Sequence, residues 1–369
     1  EIRPCDWSSD VCSSDLRAVR WARAVSPETL MAVAWDWGAR AAGVDDHAAA
    51  ADAYSAATDA LEALVHANRL VGGKETWLAE GFGLGTRAAY SLVRCGRADE
   101  AVMVLERSRG LILLDALGRG EEHEPVPDFA TLRTEVGQVV LYLVPAPREG
   151  VAIVVDPDAQ HARAVPLPPL TEAAVGGRVR AFQRTASTAG RSPQAWRRTL
   201  ERTLAWLGEV LAPVVDSLPA RMFIVPTGAL SFLPVHAAGT AHGPLLDRAV
   251  IEMAPAVLPV LRARRRPRGP VGGPVLAVAD PWPTSQPPLR FGRLEAAVAR
   301  RLGPATQLRD TDATLDAVLD ALPSASLLHL ACHGRADVFD PRASGLVLAD
   351  DLLLTVDRLG GLDLDRARL

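Results

Sequence analysis

One apolar run ends in residues that could do chemistry. Residues 327–337 read LLHLACHGRAD, with His329 inside the run, Cys332 and His333 at its end and Gly334 directly after. Such a short apolar run between turn signals reads as a buried strand. Functional groups of α/β sheets collect beyond the carboxyl ends of strands, and imidazole titrates near neutral pH, so His333 is a candidate general base. Gly334 would let the backbone turn and approach a ligand, and its N–H could help hold an oxyanion.

Three other chemistries compete. Cys332 as nucleophile beside His333 is disfavoured, because successive strand residues point to opposite faces. That parity sends Cys332 into the core, where free cysteine is often found. A zinc site from His329 and His333 would converge on a helix, but on a strand the two lie roughly 13 Å apart. No acidic third ligand stands at motif spacing either. A core histidine making a buried hydrogen bond is the reading preferred for His329. Ser231, in GALSFLP, lacks the G-x-S-x-G elbow of a serine nucleophile, so its turn is read as structure.

The elements that must position these residues come in two textures. Residues 17–120 read helical: DDHAAAADAYSAATDALEALVHANRL and RADEAVMVLERSRGLILLDALGRG carry apolar residues at three- and four-residue spacing, and the second ends at glycine. Gly38 on one helix and Ala50, Tyr54 and Ala57 on the next fit a tetratricopeptide-like helix pair, and Ala101, Leu105 and Ser108 repeat the second part. The interval between Ala50 and Ala101 is not one repeat length, so the array is irregular or has lengthened helices, and a plain helical bundle stays open. Residues 121–130, EEHEPVPDFA, break the pattern with acids and prolines and serve as a linker.

Residues 131–369 form the second domain. QVVLYLVPA and VAIVVD flank a hairpin turn at PREG, RAVPLP offers a third strand, and PQAWRRTLERTLAWLGEVLAPVVDSL is an amphipathic helix. RMFIVP, VIEMAP, PVLAVAD and SLLHLAC read as buried strands, with helices at RLEAAVARRLG and ATLDAVLDALP around a short TQLR strand. Strands alternating with helices predict an α/β domain with a mostly parallel sheet covered by helices on both faces, after an all-α region. Arg262 to Pro274 reads as a basic proline-glycine loop.

The bulk properties exclude several classes. A net charge of -4 gives no overall basic field, so no nucleic-acid partner is indicated. No apolar stretch reaches the roughly 18 residues of a membrane span, and no secretory signal is visible. Arginine supplies nearly every basic residue, Lys74 being the only lysine. Residues 1–16, with CDWSSDVCSSDL, lack periodicity and read as a non-native, adapter-derived tail. Setting them aside leaves Cys95 and Cys332, which make no disulfide framework and fit a reducing, cytoplasmic setting.

LLHLACHGRADVFDPRASGLVLADDLLLTVDRLGGLDLDRARL resembles the CHAT domain, a caspase-like cysteine peptidase domain found behind tetratricopeptide repeats in bacteria. RMFIVPTGALSFLPVHAA, LDRAVIEMAPAVLPVLRAR and GRADEAVMVLERSRGLILLDAL extend the similarity over most of residues 90–369. The resemblance implies that His333 is the catalytic base and that the Gly334 N–H contributes to the oxyanion hole. It places the nucleophilic cysteine at the end of the next core strand. No cysteine follows Cys332, so the expectation is a fragment truncated before its nucleophile, inactive on its own. Asp337, Asp340 and Asp350 are candidate substrate-pocket acids for a basic P1 side chain. A protein or peptide substrate and a regulatory protein on the tetratricopeptide-like helices are the implied partners, with no cofactor, metal or membrane. The alternative is a noncatalytic interaction scaffold with a degenerate caspase-like domain.

Overall fold

The computed structural model describes residues 17–67, 81, 83–117, 126–186, 188–265, 272–335, 343–355, 358, 359, 362 and 364. The chain divides into two compact units, one up to Arg262 and the other from Ala263.

The first unit begins with helices. They are α1 (residues 17–25), α2 (Pro27–Gly43), α3 (His47–Ala67), α4 (Leu84–Arg94) and α5 (Ala98–Leu117). Ser26 caps α2 by accepting from the Thr29 N–H at 3.2 Å, with Pro27 at the first turn. Consecutive helices from α2 to α5 pack on one another. The close approach depends on small residues. A Cβ on Gly38 would lie 2.6 Å from the buried Tyr54 ring, and one on Gly85 would lie 2.0 Å from Ser108 Oγ. Ala50, Ala57 and Ala101 are fully buried in the same core.

Next come α6 (Phe129–Val136) and the strands β1 (Val139–Val144), β2 (Gly150–Val155) and β3 (Arg163–Leu167). They are followed by α7 (Glu172–Ala186), α8 (Pro193–Val215), β4 (Arg221–Pro226), β5 (Val250–Met253) and α9 (Val257–Arg265). The five strands form one mixed sheet in the order β3-β2-β1-β4-β5. β1 to β3 pair antiparallel, whereas β1, β4 and β5 run parallel. Strand parity sorts the core. Val140, Tyr142, Val144, Ile153, Phe223 and Val225 face the N-terminal helices, while Leu141, Leu143, Met222 and Ile224 pack against α7 and α8. Both faces are covered, which is why these strands are apolar at nearly every position.

The second unit holds β6 (Val275–Pro281), α10 (Gly292–Ala299), β7 (Ala305–Asp310), α11 (Leu315–Ala321) and β8 (Leu327–Ala331). β6 lies between β8 and β7, all parallel. Leu276 and Val278 pack toward Leu315 and Val318 of α11, and Ala277 and Ala279 toward Ala296 and Ala299 of α10. The chain ends its described course in an antiparallel meander of β9 (His333–Arg335), β10 (Gly345–Val347) and β11 (Leu353–Thr355).

Several expectations change. Among the described residues the mostly parallel sheet is replaced by a mixed five-stranded sheet, a three-stranded parallel one and the antiparallel meander; the first is mixed because β1 to β3 turn back through short hairpins. Among the described residues β8 and β5 each have a strand on one side only, and both are half-exposed along most of their length, so neither is the buried strand expected. Arg262 to Arg265, expected in a loop, close α9, and residues 266–271 lie outside the described residues. α7 was not legible, because Gly176 and Gly177 interrupt its helical texture. No helix among the described residues is long and apolar enough to cross a membrane.

Candidate functional site

The site lies where β8 hands the chain over to β9. Ala331, the last residue of β8, pairs with Ala279 of the parallel β6, which runs two residues further to Pro281, so the site lies at the carboxyl edge of the sheet. Cys332 separates the two sheets, and His333 opens β9 opposite Val347.

A turn after β6 holds the imidazole. His333 Nε2 lies 2.7 Å from the Pro287 carbonyl oxygen. A carbonyl can only accept, so Nε2 carries a proton, and in the neutral ring Nδ1 then keeps the lone pair. The turn is pinned at both ends by carboxylates. Asp280 Oδ1 accepts from the Leu289 N–H at 2.8 Å. Asp351 Oδ1 accepts from the Ser285 N–H at 2.8 Å and from the Ser285 hydroxyl at 3.0 Å. The Asp350 N–H donates to the Pro283 carbonyl at 2.7 Å. Asp280, Asp350 and Asp351 have φ of 48°, 62° and 58°, the left-handed region that aspartate tolerates better than most residues.

Cys332 is placed for packing. It joins the cluster of Leu276, Val278, Leu328 and Leu330 beside α11, and burial pushes its thiol up to about 12. The thiolate is the nucleophilic form, so this sulfur is a poor attacking group. Parity sends Leu327, His329 and Ala331 to the other face, toward α10. There His329 Nε2 lies 3.4 Å from Glu295 Oε2, close enough for an ion pair but without hydrogen-bond geometry. The buried hydrogen bond expected for His329 is therefore not formed: the side chain is partly exposed, yet Nε2 itself is buried without a hydrogen-bond partner.

Gly334 is exposed, and a Cβ there would meet nothing within 4 Å. Its φ is not in the left-handed region, so the sharp turn expected of it is absent and the space above it is open. Asp350 is exposed and contributes its backbone to the turn. Asp337 and Asp340 lie outside the described residues. Ser231 Oγ donates to the Gly228 carbonyl at 2.7 Å and serves its own turn.

Part of the chain matches a known family. Residues 198–369 match the model of the CHAT domain. That match implies a caspase-like α/β fold for the matched part. It begins inside α8, takes in β4, β5, the whole second unit and His333, and leaves β1 to β3 outside although they share a sheet with β4. No curated protein matches the chain.

Sequence reasoning did not find Pro287, Asp280 or Asp351. The available signals were an aspartate closing PVLAVAD and the Asp-Asp pair of LADD, both at positions where strands end. The partner of His333 is a main-chain carbonyl, which no residue type announces.

Proposed function

We propose that the CHAT-type region is built for cysteine peptidase chemistry, with His333 as its general base. The helices before it form a tetratricopeptide-like module that receives a regulatory protein. The observation that carries the reading is the Nε2–H of His333 held by the Pro287 carbonyl at a strand end. This leaves Nδ1 free to take a thiol proton. The thiolate would then attack the peptide carbonyl carbon, the oxyanion would meet the Gly334 N–H, and Nδ1–H would return the proton to the departing amine.

Neither described cysteine suits the attack. Burial raises the Cys95 thiol above its usual range, and Cys332 is pushed to about 12. Among the described residues, base and oxyanion donor are therefore present without a competent nucleophile, and the isolated chain should not cleave peptides. Support for the helical module is the close Gly38–Tyr54 and Gly85–Ser108 packing between paired helices.

The test uses the longest reading frame containing residues 17–369. Cleavage of a fluorogenic peptide library, inhibited by a thiol reagent and lost in His333→Ala, is the expected result. Thiol-dependent cleavage that survives His333→Ala overturns the base assignment. Absence of cleavage from a folded product that carries a further strand-end cysteine favours the noncatalytic scaffold.

A further inference from the structure

Away from His333, the α7–α8 hairpin carries an unusual concentration of positive charge. Between Arg178 and Arg202 the sequence places seven arginines against one carboxylate, Glu201, in a chain whose net charge is -4. The two helices pack on each other and enclose a cleft of about 410 Å3. Arg178 of α7 and Arg202 of α8 line it, with Thr199 and Thr203; the other lining residues are alanine and glycine, and none is acidic.

Arg178 is held in place but left without a counter-charge. Its guanidinium carbon lies 4.6 Å from the centre of the buried Trp206 ring, a cation–π contact that anchors the fork. Its Nε is buried and has no hydrogen-bond partner. Among the described residues no carboxylate comes within ion-pair distance of Arg178 or Arg202. Burial accordingly pushes the Arg178 pKa down, with only the more distant Glu209 opposing. A partly desolvated cation without a partner is costly, and a bound anion would offset that cost.

We infer that the α7–α8 cleft is a binding site for a phosphate-bearing ligand, gripped between Arg178 and Arg202. Guanidinium forks match phosphate oxygens two at a time, and forks on two helices suit a tetrahedral group better than a planar carboxylate. The alanines and glycines let a ligand reach the floor between the helices. Thr203 spends its hydroxyl proton on the Thr199 carbonyl at 2.8 Å, so the donors are the two arginines and the Thr199 hydroxyl. Arg198 lies one turn before Arg202 on the same face of α8. The cationic surface thus continues past the cleft and suits a ligand with more than one phosphate.

The test is isothermal titration of the full chain with sodium tripolyphosphate at constant ionic strength. Saturable binding near one equivalent is expected. Arg202→Gln, at an exposed position, should weaken it at least tenfold while leaving the fold unchanged. Arg178→Gln should do the same; its unliganded melting point reports any lost packing on Trp206, and Arg202→Gln carries the test if that variant does not fold. Arg197→Gln, off the cleft face, should bind as the parent does. Competition with a twelve-residue oligothymidylate separates the sources. Displacement of tripolyphosphate by the oligonucleotide identifies a nucleic-acid backbone as the natural phosphate, and failure to displace identifies a small phosphorylated compound. Absence of saturable binding, or an Arg197→Gln effect equal to that of Arg202→Gln, would leave only diffuse surface charge and overturn the site.

Discussion

Replacing Glu106 should unseat one end of α9. Glu106 lies on α5 and is fully buried. Its carboxylate accepts from the Val257 N–H at 2.8 Å, the Leu258 N–H at 2.7 Å and the Tyr142 hydroxyl at 2.7 Å. Val257 and Leu258 open α9, where the first backbone N–H groups have no partner within the helix and favour negative charge. One turn along α5, Arg109 donates to the carbonyls of Pro255 and Pro226 at 2.6 and 2.9 Å. α5 thus holds both the residues before α9 and its first turn. Glu106→Ala would strand two backbone donors and a hydroxyl, each costing ~1–3 kcal/mol when unmet. Water entering the vacated space recovers part of this, so a net loss of about 3–5 kcal/mol is expected, the scale of removing one partner from a buried pair. Urea unfolding followed by circular dichroism measures it, and amide exchange at Val257 and Leu258 should accelerate selectively. A loss below about 1 kcal/mol, with unchanged exchange at those amides, would refute the reasoning. The pH dependence adds an independent check. Burial raises the Glu106 carboxyl above 4.5, against the pull of its three donors. Ionisation is therefore harder folded than unfolded, and stability falls as pH climbs from 4.5 through the raised folded value. Glu106→Gln should abolish that slope, and the parent's advantage over it should be greatest at the acid end.

Other variants test the packing and the site. Gly208→Ala should cost several kcal/mol, more than an ordinary overpacking change of about 1–3 kcal/mol, because the new Cβ would lie 1.8 Å from the Gly239 carbonyl oxygen. Gly177→Ala, with nothing within 4 Å, should instead raise the urea midpoint by the equivalent of about 0.5–1 kcal/mol. Cys332 should resist iodoacetamide at pH 8 in the folded chain, since a thiol near 12 is ionised in only about one molecule in ten thousand, and should react promptly in urea. Asp351→Ala removes the acceptor of both Ser285 bonds; the nitrogen-15 shifts of His333 should lose their Nε2–H signature, whereas an unchanged ring would show that the Pro287 turn stands without Asp351.

Much of the local structure was written in the sequence. Apolar spacing marked the helices of the first hundred residues, and the paired runs around PREG marked β1 and β2, because burial of one face imposes a period of 3.6 or 2 on residue type. The same parity rule put Cys332 on the face away from His333, in the core, and the packing seats it beside α11. His333 was legible as a candidate because a strand-end histidine before glycine is a local pattern. Its hydrogen-bond partner was not, since the Pro287 carbonyl is brought to Nε2 by a turn fixed by Asp280 of the strand before it and by Asp351 far along the chain. The apolar runs of β5 and β8 read as buried strands, yet which strand lies at an edge depends on pairing order, and pairing order is a long-range choice that composition does not encode. The same holds for Glu106: within LERSRG it reads as a solvated helical acid, and only the arrival of α9 and Tyr142 over that face of α5 turns it into a buried cap.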